Sequence, residues 1–490
     1  MPAEKRQELE RRPNEVPVFQ EYPQENKVRI LDVVLDRLPL PDDVNSRRFI
    51  PKWDLLKSST CWDTPTATLI RDMAYRLNAG VSSRNEGPTG VSKSFAAEVI
   101  CAITNRSYLR HNYSKESDPG DTIGRFVPAD ARLAVRFQEL LSEPGLDSDL
   151  KDLIKTAEKQ SRPLTILESK KIAASLGIDS IDDQIQWRWQ NGTLTGSMAY
   201  GSVFGADEPN MAPGNVIERE NSAVEKRPQL RLVEHEGEIV RPLTPDEQSI
   251  VDAGGIIPGV IGLDSKFWYV AAQNPYGIGG GRFEESEARR NRLQDRVVEA
   301  LTTKEYEEFL TFMIKGDQPD IVWQNRRYKG DRNVQTPYRD LESIPNVDAV
   351  IKWLATFQTD LKGLVDKGKI GSEKDIKGGS YIYARRNLER FLDSVKRGST
   401  ALLDVDKLFK TGEIEFNSNW HDLFIEAVHQ EYLAGMYRED QEIVQDLIKA
   451  SGVEEVLGES KNNPKAPKWI EKASKKGVHI EQGQDTWQIS

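Results

Sequence analysis

Gly87–Pro88–Thr89–Gly90–Val91–Ser92–Lys93–Ser94 is the stretch that decides the fold. A loop that cradles phosphate follows the pattern G-x-x-x-x-G-K-[ST], between a strand and a helix. Backbone N–H groups form a concavity for the β-phosphate. The helix N-terminus adds partial positive charge. The Lys reaches the β- and γ-phosphates and the hydroxyl binds Mg²⁺. Gly87, Lys93 and Ser94 stand at the required spacing. The spacing of Ala96, Ala97, Val99, Ile100 and Ile103 predicts a helix over 94–103. Two features depart from the pattern. Ser92 stands where the motif has glycine, and Val81 to Glu86 is polar where a buried parallel strand is an apolar run. Without more, a glycine-containing surface turn before a helix reads the same way.

A second motif lies about 115 residues downstream. Gly201–Ser202–Val203–Phe204–Gly205–Ala206–Asp207–Glu208–Pro209–Asn210 reads as a short strand ending in two carboxylates. Beside a phosphate loop, such an Asp contacts Mg²⁺ and such a Glu polarises the attacking water. Residues 130–183, read as wholly helical, fill the gap as an insertion, with pieces at 131–141, 150–160 and 167–176. Thr64 to Asn78 carries Leu69, Ile70, Met73, Ala74 and Leu77 at helical spacing. An α/β stretch runs over 185–275. Helices are expected at 347–364, 385–396, 420–437 and 441–450. The first 25 or so residues read as a polar mobile arm, 27–38 as a short strand or helix, and the last 30 or so as a loose tail.

Composition sets limits. The chain has 490 residues and a net charge of −11, which argues against bulk nucleic-acid binding. Two cysteines and five histidines exclude a disulfide framework and disfavour a Cys- or His-based metal centre. The N-terminus lacks a secretory signal and no stretch reads as a membrane helix, so the expected location is cytoplasmic.

Taken in order, GPTGVSKS (87–94), SDPGDTIGRFVP (117–128), WQNGTLTGSMAYGSVFGADEPNMAPGNVIERENSAVE (189–225), RLVEHEGEIVRP (231–242), FWYVAAQNP (267–275) and SEARRNRL (286–293) resemble one family. It is the MoxR-like, dynein-related branch of the AAA+ ATPases. The resemblance covers roughly 64–300, with a weaker echo to about 395. It implies that Gly87, Pro88, Thr89, Gly90, Val91, Ser92, Lys93 and Ser94 hold ATP, and that Ser94 and Asp207 hold Mg²⁺. It implies Glu208 as the water-polarising carboxylate and Asn274 as the polar sensor. It implies Arg292 as an arginine finger acting in trans, and Arg386 as the lid arginine with Arg385 its rival. His235 lies in a hairpin insert and is expected to be exposed, not a metal ligand.

The expected fold is α/β: a nucleotide-binding domain with a parallel sheet flanked by helices, a helical lid, and further helical N- and C-terminal segments. The expected divisions are 1–63, 64–300 with the insertion at 130–183, 301–400 for the lid and 401–490. The resemblance implies an ATP hydrolase that assembles into a ring, a hexamer in the family, and remodels a separate client protein or works with a von Willebrand A-type partner. Two other readings stay open. One is a nucleotide-binding scaffold with little turnover. The other is a nucleic-acid-linked ATPase or GTPase motor, for which Arg326–Arg327–Tyr328–Lys329 is a basic patch with an aromatic.

Overall fold

The computed structural model describes residues 16–42, 47–128, 147–159, 171–172, 174–175, 187–276, 281–371, 381–398, 410–411, 420–457, 480–482 and 487–489. Its centre is a five-stranded sheet. The strands are β1 (Ser83–Glu86), β2 (Tyr108–Asn112), β3 (Val203–Asp207), β4 (Trp268–Gln273) and β5 (Gln294–Val297). They run parallel in the order β5-β1-β4-β3-β2. Ala272 lies opposite both Asn85 and Asp207, so β1, β3 and β4 end at one level. Their carboxyl ends form the edge where open α/β sheets bind ligands.

Side chains alternate across the pleat into two cores. Val203, Trp268 and Val270 join α1 (Thr64–Asn78) and α2 (Lys93–Thr104) on one face. Phe204, Ala206, Tyr269 and Ala271 face α3 (Thr193–Tyr200), with Leu194 and Met198, on the other. The chain is therefore a mixed α/β structure with a parallel sheet covered on both sides.

The polar segment before the phosphate loop is a central strand, β1, not a surface turn. Ser83, Arg84 and Asn85 are buried there. Burial of Arg84 and of the Asn85 amide nitrogen is tolerated because partners are supplied, whereas Ser83 Oγ and Asn85 Oδ1 have no hydrogen-bond partner among the described residues. Arg84 forks onto Asp295 of β5 at 2.9 and 2.6 Å and also pairs with Glu285. Asn85 donates to the Ala271 carbonyl at 3.4 Å, and Gln273 donates to Glu86 at 2.9 Å.

The N-terminal expectation needs correction from residue 16 onward. Phe19–Tyr22, Lys27–Ile30 and Val33–Asp36 form an antiparallel sheet, and Val16–Pro17 pairs in parallel with Arg326–Lys329. Val18, Val28, Ile30, Leu31 and Leu35 are buried in the same core as α1 and α2, and that burial holds the segment down. Residues 1–15 lie outside the described residues. The basic patch 326–329 is a strand, not a loop. Tyr328 points inward at 5% exposure, so its ring cannot stack on a base.

After β5 come α4 (Thr303–Lys315), α5 (Val347–Asp366), α6 (Arg385–Gly398), α7 (Trp420–Val428) and α8 (Arg438–Ala450). Phe309, Phe312, Trp353, Phe357, Phe391, Phe424 and Tyr432 form their core. The helix expected over 420–437 leaves the α form after Val428. A single π turn, His429–Leu433, continues it and carries Tyr432 into that core. Of the expected insertion, Ser148–Lys159 is helical. The pieces expected at 131–141 and, for most of its length, 167–176 lie outside the described residues, as does most of the tail. Among the described residues no helix is long and apolar enough to cross a membrane.

Candidate functional site

The site is assembled at the carboxyl ends of β1, β4 and β3. The loop leaves β1 at Gly87, whose N–H donates to the Gln273 carbonyl at 3.2 Å. A Cβ at Gly87 would lie 2.2 Å from the Val298 carbonyl oxygen, so only glycine fits. Gly90 has φ +81°, and a Cβ there would meet that of Ala384 at 2.0 Å. The loop and the start of α6 thus touch through a missing side chain.

Ser92 occupies the motif's second glycine position and carries the backbone that position requires, with φ 62° and ψ 23°. This left-handed conformation costs a non-glycine residue roughly 1–2 kcal/mol. Ser92→Gly relieves it and gives up one 3.4 Å contact from Arg385. The variant is expected to gain about 0.5–1 kcal/mol in urea unfolding. A loss of stability would show that the hydroxyl outweighs the strain.

Lys93 opens α2 and is buried. Its ammonium donates to the carbonyls of Gly87 and Pro88, both at 2.7 Å, and to Asn274 Oδ1 at 3.0 Å. Burial lowers its pKa to about 8; Glu208, Asp207 and Glu86 oppose that shift and Arg282 adds to it. An anion on the loop favours the ammonium. Binding a triphosphate therefore takes up protons near and above pH 8, and affinity falls as pH rises beyond it. Calorimetry in two buffers of different ionisation enthalpy reads the uptake; identical heats at pH 8.5 would contradict it.

Ser94 Oγ donates to Asp207 Oδ1 at 2.5 Å, and Arg110 of β2 pairs with the other Asp207 oxygen. A hydroxyl beside a carboxylate at a helix N-terminus is a hard oxygen donor pair. It suits Mg²⁺, which takes one or two protein ligands and completes its shell with phosphate and water. Among the described residues no cluster of three or more His, Cys, Asp or Glu could hold a metal by itself.

Glu208 follows with φ 52° and ψ 49°, a strained backbone at the end of β3. Its carboxylate accepts from the Asn274 N–H at 3.2 Å and from Arg282 at 3.3 Å. The Asn274 amide donates to Thr89 Oγ1 at 2.8 Å. Asn210 donates to the Asn274 carbonyl at 2.8 Å and holds it in place. The structure therefore brings together the phosphate loop, Lys93, Ser94, Asp207, Glu208 and Asn274.

The other expected site residues lie elsewhere. Arg292 is partly exposed before β5 and pairs with Glu225 at 3.0 Å. Arg289 is fully buried against Tyr269 and Glu220, while Arg290 and Arg296 pair with Glu284 and Asp72. Arg386 is exposed. Its neighbour Arg385 faces the loop instead: it is buried, pairs with Asp63 and donates to Thr66 Oγ1 at 2.7 Å. His235 is half-buried, contrary to expectation. Its ring stacks on Trp189 at 4.6 Å and pairs with Glu238 at 2.7 Å.

Sequence reasoning missed three participants. Arg110 lay unnoticed in an edge strand. Asp63 looked like an ordinary residue before a helix, though Asp ahead of Thr64–Pro65 is an N-cap signal. Arg282 directly follows three glycines, a backbone that permits close approach, and that was the available clue.

No protein-family model matches the chain. It is similar to Midasin of Giardia intestinalis, 23% identical over 234 residues, or 48% of this chain. That stretch is 4% of Midasin, so the chain spans a small part of that protein's length. Among solved structures, the chain overlays on one described as a candidate ATPase from Cytophaga hutchinsonii. The overlay has a TM-score of 0.30 and 12% identity and covers 83% of this chain and 95% of that one.

Proposed function

We propose that this chain is an ATP-hydrolysing AAA+ subunit of MoxR type that remodels, or helps assemble, a partner protein. The observation that carries this reading is the convergence of Lys93, Ser94, Asp207, Glu208 and Asn274 at one edge of a parallel sheet. Loop N–H groups from Thr89 to Ser92 and the N-terminus of α2 receive the phosphates. Lys93 exchanges its carbonyl partners for phosphate oxygens. Ser94 and Asp207 would hold Mg²⁺, which would supply positive charge to the bound phosphates. Glu208 takes the proton of the attacking water, and Asn274 orients that water.

The ring, its hexameric count, the in-trans role of Arg292 and a von Willebrand A-type partner belong to this proposal by family resemblance, and a cytoplasmic location is part of the proposal as well. So does the division at about residues 63, 300 and 400, with the third part as lid. The contact of Gly90 with Ala384 supports a lid that reads the loop directly.

Steady-state phosphate release tests the reading. Wild type is expected to turn over. Glu208→Gln is expected to be slower by about 100-fold or more while retaining ATP, because it removes the proton acceptor and little binding. A second reading, the nucleotide-binding scaffold, is favoured by one observation: Glu208 is already engaged by Arg282. It predicts ATP-dependent assembly with no phosphate release from either protein.

A further inference from the structure

Arg282 stands beside the water-polarising carboxylate without a role in the reading above. Its side chain is 12% exposed and that of Glu208 27%. Nε and Nη2 both reach the same Glu208 oxygen at 3.3 Å. Strong guanidinium–carboxylate pairs are forks of two parallel bonds at about 2.7–2.9 Å. Arg84 and Asp295 make such a fork in this chain, at 2.9 and 2.6 Å. By that standard the contact between Arg282 and Glu208 is long and one-sided, since both bonds fall on a single oxygen. Glu208 does not depend on it for aim, because the Asn274 N–H also holds the carboxylate, at 3.2 Å. Arg282 and Lys93 are linked through two shared neighbours: Lys93 donates to Asn274 Oδ1 at 3.0 Å, and Glu208, which Arg282 contacts, accepts from the Asn274 N–H at 3.2 Å.

We propose that Arg282 is a catalytic arginine acting in cis on the terminal phosphate of a bound triphosphate. The inference rests on the reading of the site as an ATPase and deepens it. In the structure the guanidinium rests on Glu208. A γ-phosphate on the loop carries more negative charge than a carboxylate and draws Arg282 away from it. The exchange does two things at once: charge at the transferred phosphoryl group gains a donor, and Glu208 becomes free to accept a proton. In the step itself, the water oxygen bonds to the γ-phosphorus and the bond to the β–γ bridging oxygen breaks. That oxygen leaves on ADP with the electron pair, and the water's proton goes to Glu208. An exchange of this kind ties proton acceptance to the presence of the third phosphate, so ADP leaves Glu208 occupied. The role differs from that of Arg292, which precedes β5 and is held by Glu225 at 3.0 Å.

The test uses the full chain and three proteins: wild type, Arg282→Ala and Arg282→Lys. ADP and ATPγS affinities are measured with Mg²⁺, alongside single-turnover ATP hydrolysis and thermal melts. Arg282→Ala is expected to slow hydrolysis by about 100- to 1,000-fold, the range for a lost transition-state donor. It is expected to weaken ATPγS about 10-fold and to leave ADP affinity within about 2-fold, since ADP lacks the group contacted. Arg282→Lys keeps the charge and is expected to recover part of the rate. Equal weakening of ADP and ATPγS would mark Arg282 as structural and overturn the proposal. Hydrolysis by Arg282→Ala at or above the wild-type rate would overturn it too, and would make the contact a simple restraint. If wild type itself neither binds ATPγS nor hydrolyses ATP, the ATPase reading falls and takes this inference with it.

Discussion

Lys93→Ala abolishes nucleotide-dependent turnover and loosens triphosphate binding thirty- to several-thousand-fold: that is the result expected from the loop. Truncating one partner of a desolvated charge pair costs about 2–5 kcal/mol, and each 1.4 kcal/mol is tenfold in affinity. Lys93 is such a partner. It is buried, it is the cation at the N-terminus of α2, and its three acceptors are two loop carbonyls and the Asn274 side chain. Those acceptors are uncharged, so the ammonium has no full counter-ion in direct contact. A phosphate supplies one. Fluorescent-nucleotide titration of wild type and variant measures the difference. Unchanged affinity would mean that the loop does not receive phosphate. The melting temperature of the variant serves as the control, because Lys93 also ties Gly87 and Pro88 to α2.

The largest effect on stability is expected at Asp63. Its side chain is fully buried and does two jobs. It caps α1 by accepting from the Thr66 N–H at 3.0 Å, and it pairs with Arg385 at the start of α6. Arg385 also lies over the Phe309 ring at 5.1 Å, so it joins α1, α4 and α6. Asp63→Ala leaves a guanidinium buried and unpaired, a change worth about 3–5 kcal/mol, and the lost cap adds about 1 kcal/mol. That is a large part of the roughly 5–15 kcal/mol that holds a domain together. Urea unfolding should show a large drop in midpoint. Asp63→Ala combined with Arg385→Leu should recover much of the loss, because an apolar side chain leaves no charge stranded. An unchanged midpoint for the single variant would refute the buried pair as a fastening between α6 and the loop face.

Much of this was legible in the residues. The apolar runs Val203–Ala206 and Trp268–Ala272, each ending in polar residues, pointed to buried strands with a site at one edge. The spacing of Gly87, Lys93 and Ser94 located the loop. Three things were hidden for physical reasons. β1 is polar because its partners, Asp295, Glu285 and Gln273, come from segments far away in sequence, and no local pattern reveals a buried ion pair. The turn before α6 decides which of Arg385 and Arg386 faces inward. A one-residue difference on a helix rotates a side chain by about 100°, and the sequence repeat R-R offers no phase. The hairpin from residue 16 is short and mixed in polarity, and only its docking onto α1 and α2 makes it a fixed element. Arg282 belongs with these, since a side chain that follows a run of glycines has no periodicity to read.

The central claim is that a triphosphate sits on the loop 87–94 with Mg²⁺ between Ser94 and Asp207. The most direct test is an experimental structure of Glu208→Gln soaked or frozen with Mg-ATP. The account predicts the triphosphate wrapped by Gly87 to Ser92, Lys93 turned from its carbonyls to the phosphates, and Mg²⁺ at Ser94 and Asp207. Nucleotide bound at another place, or a loop still closed on the Lys93 ammonium at saturating Mg-ATP, would contradict it.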